Sequence, residues 1–180
     1  MLLGSKGEVM KEIDKELLYA FTVDEIKEAI ENGADVNSRD EKGNSPLHLV
    51  WIIEIVKALV EAGADVNSKN DEGQTPLHYA SAENSEFLID AGANVDAKDE
   101  MGNTPLHQAF FSGKAQVLID AGADISARNK EGLTPSQTVP DKGAQFVIET
   151  ELLKRANERT IKDSLMRQQA VKEQVQGQRF

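Results

Sequence analysis

Apolar residues occur along the chain in short clusters that recur at a nearly fixed interval. A leucine returns at Leu47, Leu77 and Leu106, each directly after a proline, at intervals of 30 and 29 residues. A second apolar cluster follows each leucine and ends at a glycine. Such a period is typical of repeat arrays, in which each unit buries its apolar face only against its neighbours. The pattern therefore predicts a solenoid of stacked short helices.

Two short signatures follow the same period. In the first, a glycine precedes a hydroxyl residue and a proline, and Leu-His usually follows. Its copies occur at 43–48, 73–78, 102–107 and 132–137. The second signature is Gly-Ala followed by Asp or Asn, and its copies occur at 33–37, 63–67, 92–96 and 122–126. All three histidines and four of the five prolines fall in these slots, so the repetition is not due to chance.

Each slot has a physical reason. A hydroxyl residue such as Thr75 is suited to the N-cap of a helix, and the proline after it fits the first helical position. Gly63 suits the left-handed residue that closes a helix. Asp40 and Gly43 are the first and fourth residues preferred in a type I turn. Each unit is therefore predicted to run turn, helix, connection, helix, glycine.

This order resembles the ankyrin repeat, for which Thr-Pro-Leu-His and Gly-Ala-Asp-Val-Asn are specific. The resemblance covers residues 12–157 and implies an all-α repeat solenoid of stacked helix-turn-helix units, joined by β-turn or hairpin-like loops. An N-terminal extension (1–11) and a charged C-terminal helical tail (158–180) flank this domain. We divide it into about five units, namely 12–38 (N-cap), 39–68, 69–97, 98–127 and 128–157 (C-cap).

The units are three or four residues shorter than the usual ankyrin period of about 33 residues. The turns keep their spacing, so the missing residues belong to the helices. In the unit 98–127 we expect a trimmed second helix, from Lys114 to Asp120, and we place Trp51 near the end of a shortened first helix in the unit 39–68. The terminal units lack parts of the signatures, as caps with polar outer faces do.

Charge and cysteine content exclude several functions. The chain carries a net charge of −11 and has no cysteine. An acidic surface opposes nucleic acid and anionic membranes as partners, because phosphate binding needs clustered basic residues. The lack of cysteine excludes disulfides and thiolate sites and fits an intracellular, cytoplasmic protein. No apolar stretch reaches membrane-spanning length, and we expect neither membrane insertion nor an export signal.

No residue pattern indicates catalysis, a metal or a cofactor. His48, His78 and His107 recur in successive units, about 8–10 Å apart if the helices pack normally. A shared zinc ion needs nitrogens at about 2 Å, so these histidines are predicted to be structural and to bond a neighbouring turn. No nucleophile elbow, phosphate-binding loop or His-x-x-x-His motif occurs. We therefore expect a protein that is not an enzyme.

The remaining candidate function is binding to another molecule through the protein surface. In the ankyrin family, partners bind the concave side, which is formed by the turn tips and the first helices. The resemblance therefore implies a protein-interaction module, acting as an adaptor or an inhibitor. The charges of the turns fit either a solvated edge or a binding row that sets orientation and association rate. The candidate contact residues in the turns are Arg39, Glu41, Lys42, Asn44, Lys69, Asp71, Glu72, Gln74, Lys98, Glu100, Met101 and Asn103.

Four large apolar residues complete the candidate set. Trp51 and Ile52 lie between the two helices of one unit, and Phe110 and Phe111 occupy nearly the same place two units later. Adjacent large side chains cannot all face one core, so at least one of each pair is expected to point outward. They either fill space left by the short repeats or flank a groove for a partner, since binding hot spots are rich in aromatic residues.

The tail differs in charge from the rest of the chain. It carries +2, so that residues 1–157 carry −13. Ile161, Leu165, Val171 and Val175 form an apolar stripe that is too sparse to predict a coiled coil. The tail is expected to lie on the acidic stack or to extend into solvent, and pairing of two tails into a homo-oligomer is a second hypothesis. A third, implied only by the family resemblance, is a bacterial effector delivered into a host cell.

Overall fold

The computed structural model describes residues 12–18, 20 and 22–177, which form a stack of helix pairs with no strand in the described part. The predicted all-α repeat solenoid is thus confirmed, whereas the N-terminal extension 1–11 lies outside the described residues. The helices are α1 (Glu12–Leu18), α2 (Val23–Glu31), α3 (Pro46–Leu49), α4 (Ile53–Glu61), α5 (Pro76–Tyr79), α6 (Ala82–Asp90), the 3-10 helix η1 (Pro105–Gln108), α7 (Ser112–Asp120), α8 (Pro135–Thr138) and α9 (Lys142–Gly177).

The shortening of the repeats lies in the first helix of each unit. α3, α5, η1 and α8 each have four residues, whereas α4, α6 and α7 have nine. The prediction of a trimmed second helix in the unit 98–127 is therefore wrong, and Trp51 lies in the connection after α3 rather than near its end. The second helix needs more than two turns to place its apolar residues in the core, while one turn suffices to bury a leucine and a histidine.

The histidine of each first helix joins its own cap to the next turn. Within the unit 69–97, the backbone N–H of Thr75 donates to Nδ1 of His78 at 3.0 Å, and Nε2 lies 3.2 Å from the carbonyl oxygen of Asn103 in the next unit. His48 and His107 make the same contacts. Because Nδ1 accepts, the ring is neutral with its proton on Nε2. The predicted structural role of the histidines is confirmed.

Burial keeps these rings neutral. It lowers the pKa of His48 and His107, and it lowers that of His78 to about 4. In the last unit, Gln137 stands in the histidine slot, and its Oε1 accepts the backbone N–H of Thr134 at 3.0 Å. The capping bond is thus kept there without a titratable group.

The turns bond to one another from unit to unit. In the second turn, Oδ1 of Asn70 accepts from the backbone N–H of Glu72 and Gln74, and its Nδ2 donates to Oδ1 of Asn44 at 3.0 Å. The backbone N–H of Asp71 donates to the carbonyl of Lys42 at 3.0 Å. Asp40, Asp99 and Asn129 accept the equivalent turn bonds in their units.

The core is a line of aliphatic side chains that runs through the stack from α1 to α9. The stack is closed at its N-terminal end by Asp14, whose Oδ1 accepts the backbone N–H of Asp35 at 2.8 Å. Asn37 makes the same bond to Asp65 in the next unit. The fully buried aliphatic side chains include Leu17, Ile26, Leu59, Leu77, Leu106, Leu118 and Ile148.

The last helix, α9, is much longer than the other second helices. Asp141 accepts the backbone N–H of Ala144 at 2.7 Å, which caps the start of the helix. The helix has 36 residues, about 54 Å at 1.5 Å per residue. Its side chains from 156 to 170 are exposed, so this part of the helix extends into solvent rather than lying on the stack.

Candidate functional site

An open groove of about 1080 Å³ lies on the face formed by the turns and the first helices, and we call it the aromatic groove. Its walls come from the turn and first helix of the unit 69–97 and from the connections of the units on either side. Its lining residues are Trp51, Glu72, Gln74, His78, Tyr79, Ala80, Ser81, Ala82, Gln108, Phe110, Phe111, Gly113 and Lys114.

Three rings around this groove are open to solvent. Trp51 is 84% exposed, Phe111 76% and Phe110 56%. The structure therefore excludes the alternative in which these rings fill space inside the short repeats. Ile52 is also exposed, but it does not line the groove.

The backbone that carries the rings is held in place by hydrogen bonds. Nδ2 of Asn84, a buried residue of the next unit, donates to the carbonyl oxygen of Trp51 at 3.1 Å. The backbone N–H of Phe110 donates to the carbonyl of Gln108, and the carbonyl of Phe111 accepts the N–H of Ala115 in α7. The side chains are thus exposed on an ordered backbone, which lowers the conformational entropy lost on binding.

Tyr79 joins the groove to the turns. Its hydroxyl donates to Oε1 of Gln74 and accepts from Nδ2 of Asn70, which lies 3.2 Å away. The ring of His48 lies 6.2 Å from the Tyr79 ring in an edge-on arrangement. Burial raises the pKa of Tyr79, so the phenol is neutral at physiological pH.

Lys114 is a buried basic residue that belongs to the same groove. It lies in α7 and lines the groove, although only 6% of it is exposed. Its Nζ donates to the carbonyl oxygen of His78 at 2.7 Å, and burial lowers the pKa of Lys114 to about 7. Sequence reasoning missed both Lys114 and Tyr79. For Lys114 a signal existed, since the equivalent position of the unit 39–68 holds the buried Ile55.

The groove brings together five of the sixteen predicted site residues, namely Trp51, Glu72, Gln74, Phe110 and Phe111. The others lie outside it, and all but two of them are exposed: Asn44 is buried and Asn103 is half-buried. The residues outside the groove are Arg39, Glu41, Lys42, Asn44, Ile52, Lys69, Asp71, Lys98, Glu100, Met101 and Asn103.

Several turn residues already have partners within the stack. Arg39 donates to the carbonyl of Lys69, and Nζ of Lys69 donates to the carbonyl of Lys98 at 2.8 Å. Glu41, Lys42, Asn44 and Asp71 help to line a smaller groove of about 450 Å³, which shares Glu72 and Tyr79 with the aromatic groove. The basic residues before the first two turns, Arg39 and Lys69, therefore link neighbouring units, while the acidic tips of these turns are exposed.

Among the residues that the structure describes, no group of three His, Cys, Asp or Glu side chains is placed to hold a metal ion. The same part of the chain contains no helix that is long and apolar enough to cross a membrane.

A comparison with protein-family models matches the chain to ankyrin repeats, in three copies, over residues 17–99 and 51–129. The chain belongs to the ankyrin-repeat family. No curated protein matches it. Ankyrin repeats generally mediate protein–protein interaction and are in general non-catalytic. The family assignment confirms the resemblance carried by the two signatures.

Proposed function

We propose that this ankyrin-repeat chain is an adaptor or an inhibitor that acts by covering a partner's surface, and that the partner binds on the concave face at the aromatic groove. The observation that carries the proposal is the exposure of Trp51, Phe110 and Phe111 around one groove. Burying apolar surface contributes about 25 cal/mol per Å², and large rings can supply much of the area needed. Aromatic residues are also enriched among binding hot spots.

The charged turn tips serve the proposed interface differently. Glu41, Asp71, Glu72 and Glu100 are exposed and sit beside basic residues of the same turns. Exposed ion pairs contribute little affinity because water and salt screen them. In the proposed complex these charges set the orientation and the association rate.

Affinity capture from the native cell or its host, using the full chain as bait, would identify the partner. The captured protein is then titrated with the wild type and with Trp51→Ala and Phe111→Ala. We expect each groove variant to weaken binding at least about tenfold, as hot-spot truncations do, with unchanged thermal stability.

Ile52→Ala is the matched control, because this residue is exposed next to Trp51 but lies outside the groove. It should bind like the wild type. If Trp51→Ala and Phe111→Ala also bind like the wild type, the partner does not use the groove.

Self-assembly through α9 is a second candidate function. Ile161, Leu165 and Met166 are exposed on the part of this helix that projects into solvent. Residues at i and i+4 lie on one side of a helix, so Ile161 and Leu165 offer a short apolar stripe to a second copy. Light scattering of the full chain tests this candidate, since Leu165→Glu should convert a dimer into a monomer.

We further propose that residues 12–157 form the interaction module and that it acts in the cytoplasm. Burial of side chains on α9 ends near Arg155, which supports the C-terminal limit. The lack of cysteine supports a reducing compartment. Limited proteolysis and cell fractionation test these two statements.

A further inference from the structure

The third residue of each second helix in the last four units occupies the same place in the stack. These residues are Ile55, Asn84, Lys114 and Ala144, and all four are buried. Ile and Ala suit this slot, and the amide of Asn84 bonds the carbonyl of Trp51. Lysine is almost never fully buried unless it is paired, so the position of Lys114 calls for a reason.

Lys114 has a neutral partner where a counter-ion is expected. Its Nζ bonds the His78 carbonyl, an interaction that both the ammonium and the neutral amine can make. Within the described residues, no carboxylate lies within ion-pair distance of this nitrogen. With its pKa lowered by burial to about 7, Lys114 is protonated in a large share of molecules at neutral pH.

The titratable groups around Lys114 do not supply the missing charge. His78 and Tyr79 line the groove with it, and both are neutral near pH 7, as is His107 on η1. The charged side chains of α6, of the C-terminal end of α7 and of the start of α9 are exposed, namely Glu83, Glu86, Asp90, Asp120, Lys142 and Glu149. Further along α9, Glu151 and Arg155 are half-buried, and they pair with each other at 2.8 Å.

Two carboxylates belong to the neighbouring turns. Glu72 is exposed and lines the groove. Asp99 is buried but engaged within its own turn, where it accepts the backbone N–H of Met101 at 2.9 Å and of Asn103 at 2.8 Å. Neither carboxylate is paired with Lys114.

We propose that the aromatic groove binds a peptide segment of a protein partner in which an acidic residue stands beside large apolar residues. The acidic side chain pairs with Lys114, and the apolar side chains pack on Trp51 and Phe111. This inference rests on the function proposed for the groove. A carboxylate supplies the charge-assisted hydrogen bond that the chain itself does not provide, and the apolar walls strengthen it by excluding water.

The charge of the groove favours this occupant over other peptides. An uncharged apolar segment leaves the ammonium without a counter-charge, and a basic segment places two cations together. The overall charge of −11 is screened beyond a Debye length of about 8 Å at physiological ionic strength, whereas a pair inside the groove is screened much less.

Selection from random dodecapeptides displayed on phage tests the sequence requirement. The full chain is the target at pH 6, where Lys114 is protonated. We expect the selected peptides to carry Asp or Glu next to Trp, Phe or Leu. The variant Lys114→Met keeps a long unbranched side chain without the charge, and it should select apolar residues without the acidic one.

A pH series tests the pairing itself. The best selected peptide, made with blocked ends, is titrated from pH 6 to pH 9. Because a bound carboxylate holds the proton on Lys114, affinity should fall about tenfold per pH unit above pH 7, until the raised pKa of the complex is passed. The peptide with Gln or Asn in place of its acidic residue should show a flat profile, as should Lys114→Met.

The two proposals fail in different ways. Trp51→Ala should weaken binding at every pH and keep the slope. If the selected peptides lack acidic residues, or the wild type shows a flat profile, the pairing with Lys114 is wrong and the groove remains the binding site. If no peptide is selected, the peptide proposal is wrong. If Trp51→Ala and Phe111→Ala leave the affinity for the captured partner and for the selected peptide unchanged, both proposals are wrong.

Discussion

The turn edge consists of residues 39–44, 69–74, 98–103 and 128–133. It adjoins the aromatic groove and shares Glu72 and Gln74 with it, yet most side chains of the two regions differ in whether they have partners within the stack. Along the turn edge the same residue types return in every unit, and their polar groups bond one another. In the groove, Trp51, Phe110 and Phe111 present bare rings to solvent, and the unit between them has only Ala80 and Ser81 at the corresponding place. The polar residues that recur in every unit therefore hold the stack together, whereas the groove differs from unit to unit in the size of its side chains.

The largest expected effect comes from disturbing the turn edge at Gly43. This residue has a φ of +73°, and an added Cβ would lie 2.6 Å from Oδ1 and 2.9 Å from the backbone N of Asp71. We expect Gly43→Ala to lower the free energy of unfolding by about 3 kcal/mol, from the left-handed backbone and the collision together. Urea denaturation measures the change.

Gly132→Ala is the matched control for this collision. Its φ is +79°, but an added Cβ meets nothing within 4 Å. The variant should lose only about 1 kcal/mol. Equal losses for the two variants would mean that contact between successive turns does not contribute.

A second test removes the turn-to-turn bonds without changing the backbone. Asn70→Ala leaves the N–H groups of Glu72 and Gln74 and the amide oxygen of the buried Asn44 without their partner, and we expect a loss of about 2–3 kcal/mol. Asp71→Ala, in the same turn but exposed, should change stability by about 0.5 kcal/mol or less. A small loss for Asn70→Ala in urea denaturation would contradict the assigned role of the turn edge.

The third test uses acid. The pKa of His78 is lowered from 6.5 to about 4 on folding, so the unfolded chain binds more protons between these values. The stability is complete above pH 6.5 and is lost as the pH falls toward 4. Urea denaturation at pH 7.5 and pH 5 should show a loss on the order of 1–2 kcal/mol from this histidine.

His78→Gln is the control, because Gln137 already fills the same slot in the last unit. The variant keeps an acceptor for the N–H of Thr75 but cannot titrate. Its stability should fall less than that of the wild type over the same pH range, and an equal fall would assign the acid sensitivity to other groups.

The smallest effect is expected in the groove. Trp51→Ala and Phe111→Ala remove exposed rings, so the free energy of unfolding should change by about 0.5 kcal/mol or less. Leu106→Ala, in the core beside them, should cost about 2–5 kcal/mol. A large destabilisation by either aromatic variant would show that the ring stabilises the stack, and the contrast between the two regions would be lost.

The turns, caps and glycines could be predicted from the sequence because their backbone geometry admits few residue types. Which of the two helices in a unit is the shortened one could not be predicted. α3 ends where Val50 becomes extended, with φ −97° and ψ 141°, and neither glycine nor proline marks the place. The β-branched and aromatic residues from Val50 to Ile53 favour an extended backbone, but such residues also occur inside helices and do not fix the end of one.

The groove was only partly predictable for a related reason. The direction of Trp51 and Phe110 depends on the path of the connections, and two alternatives stayed open until that path was known. Lys114 resembles a solvent-facing residue near the start of a helix when its unit is considered alone. Only the alignment of units shows that it occupies the buried position that Ile55 holds in the unit 39–68, where an amino group is unexpected.

The long helix α9 has a consequence for how the chain unfolds. A helix in water must first form a costly nucleus, and a segment as sparse in apolar residues as 158–177 does not supply one by packing. Here the stack provides the nucleus, because Asp141, Ala144 and Ile148 hold the first turns in place. The projecting segment is therefore helical only while the stack is folded. Heating should shorten it gradually from its C-terminal end. Its remaining helicity should be lost when the last repeat unfolds.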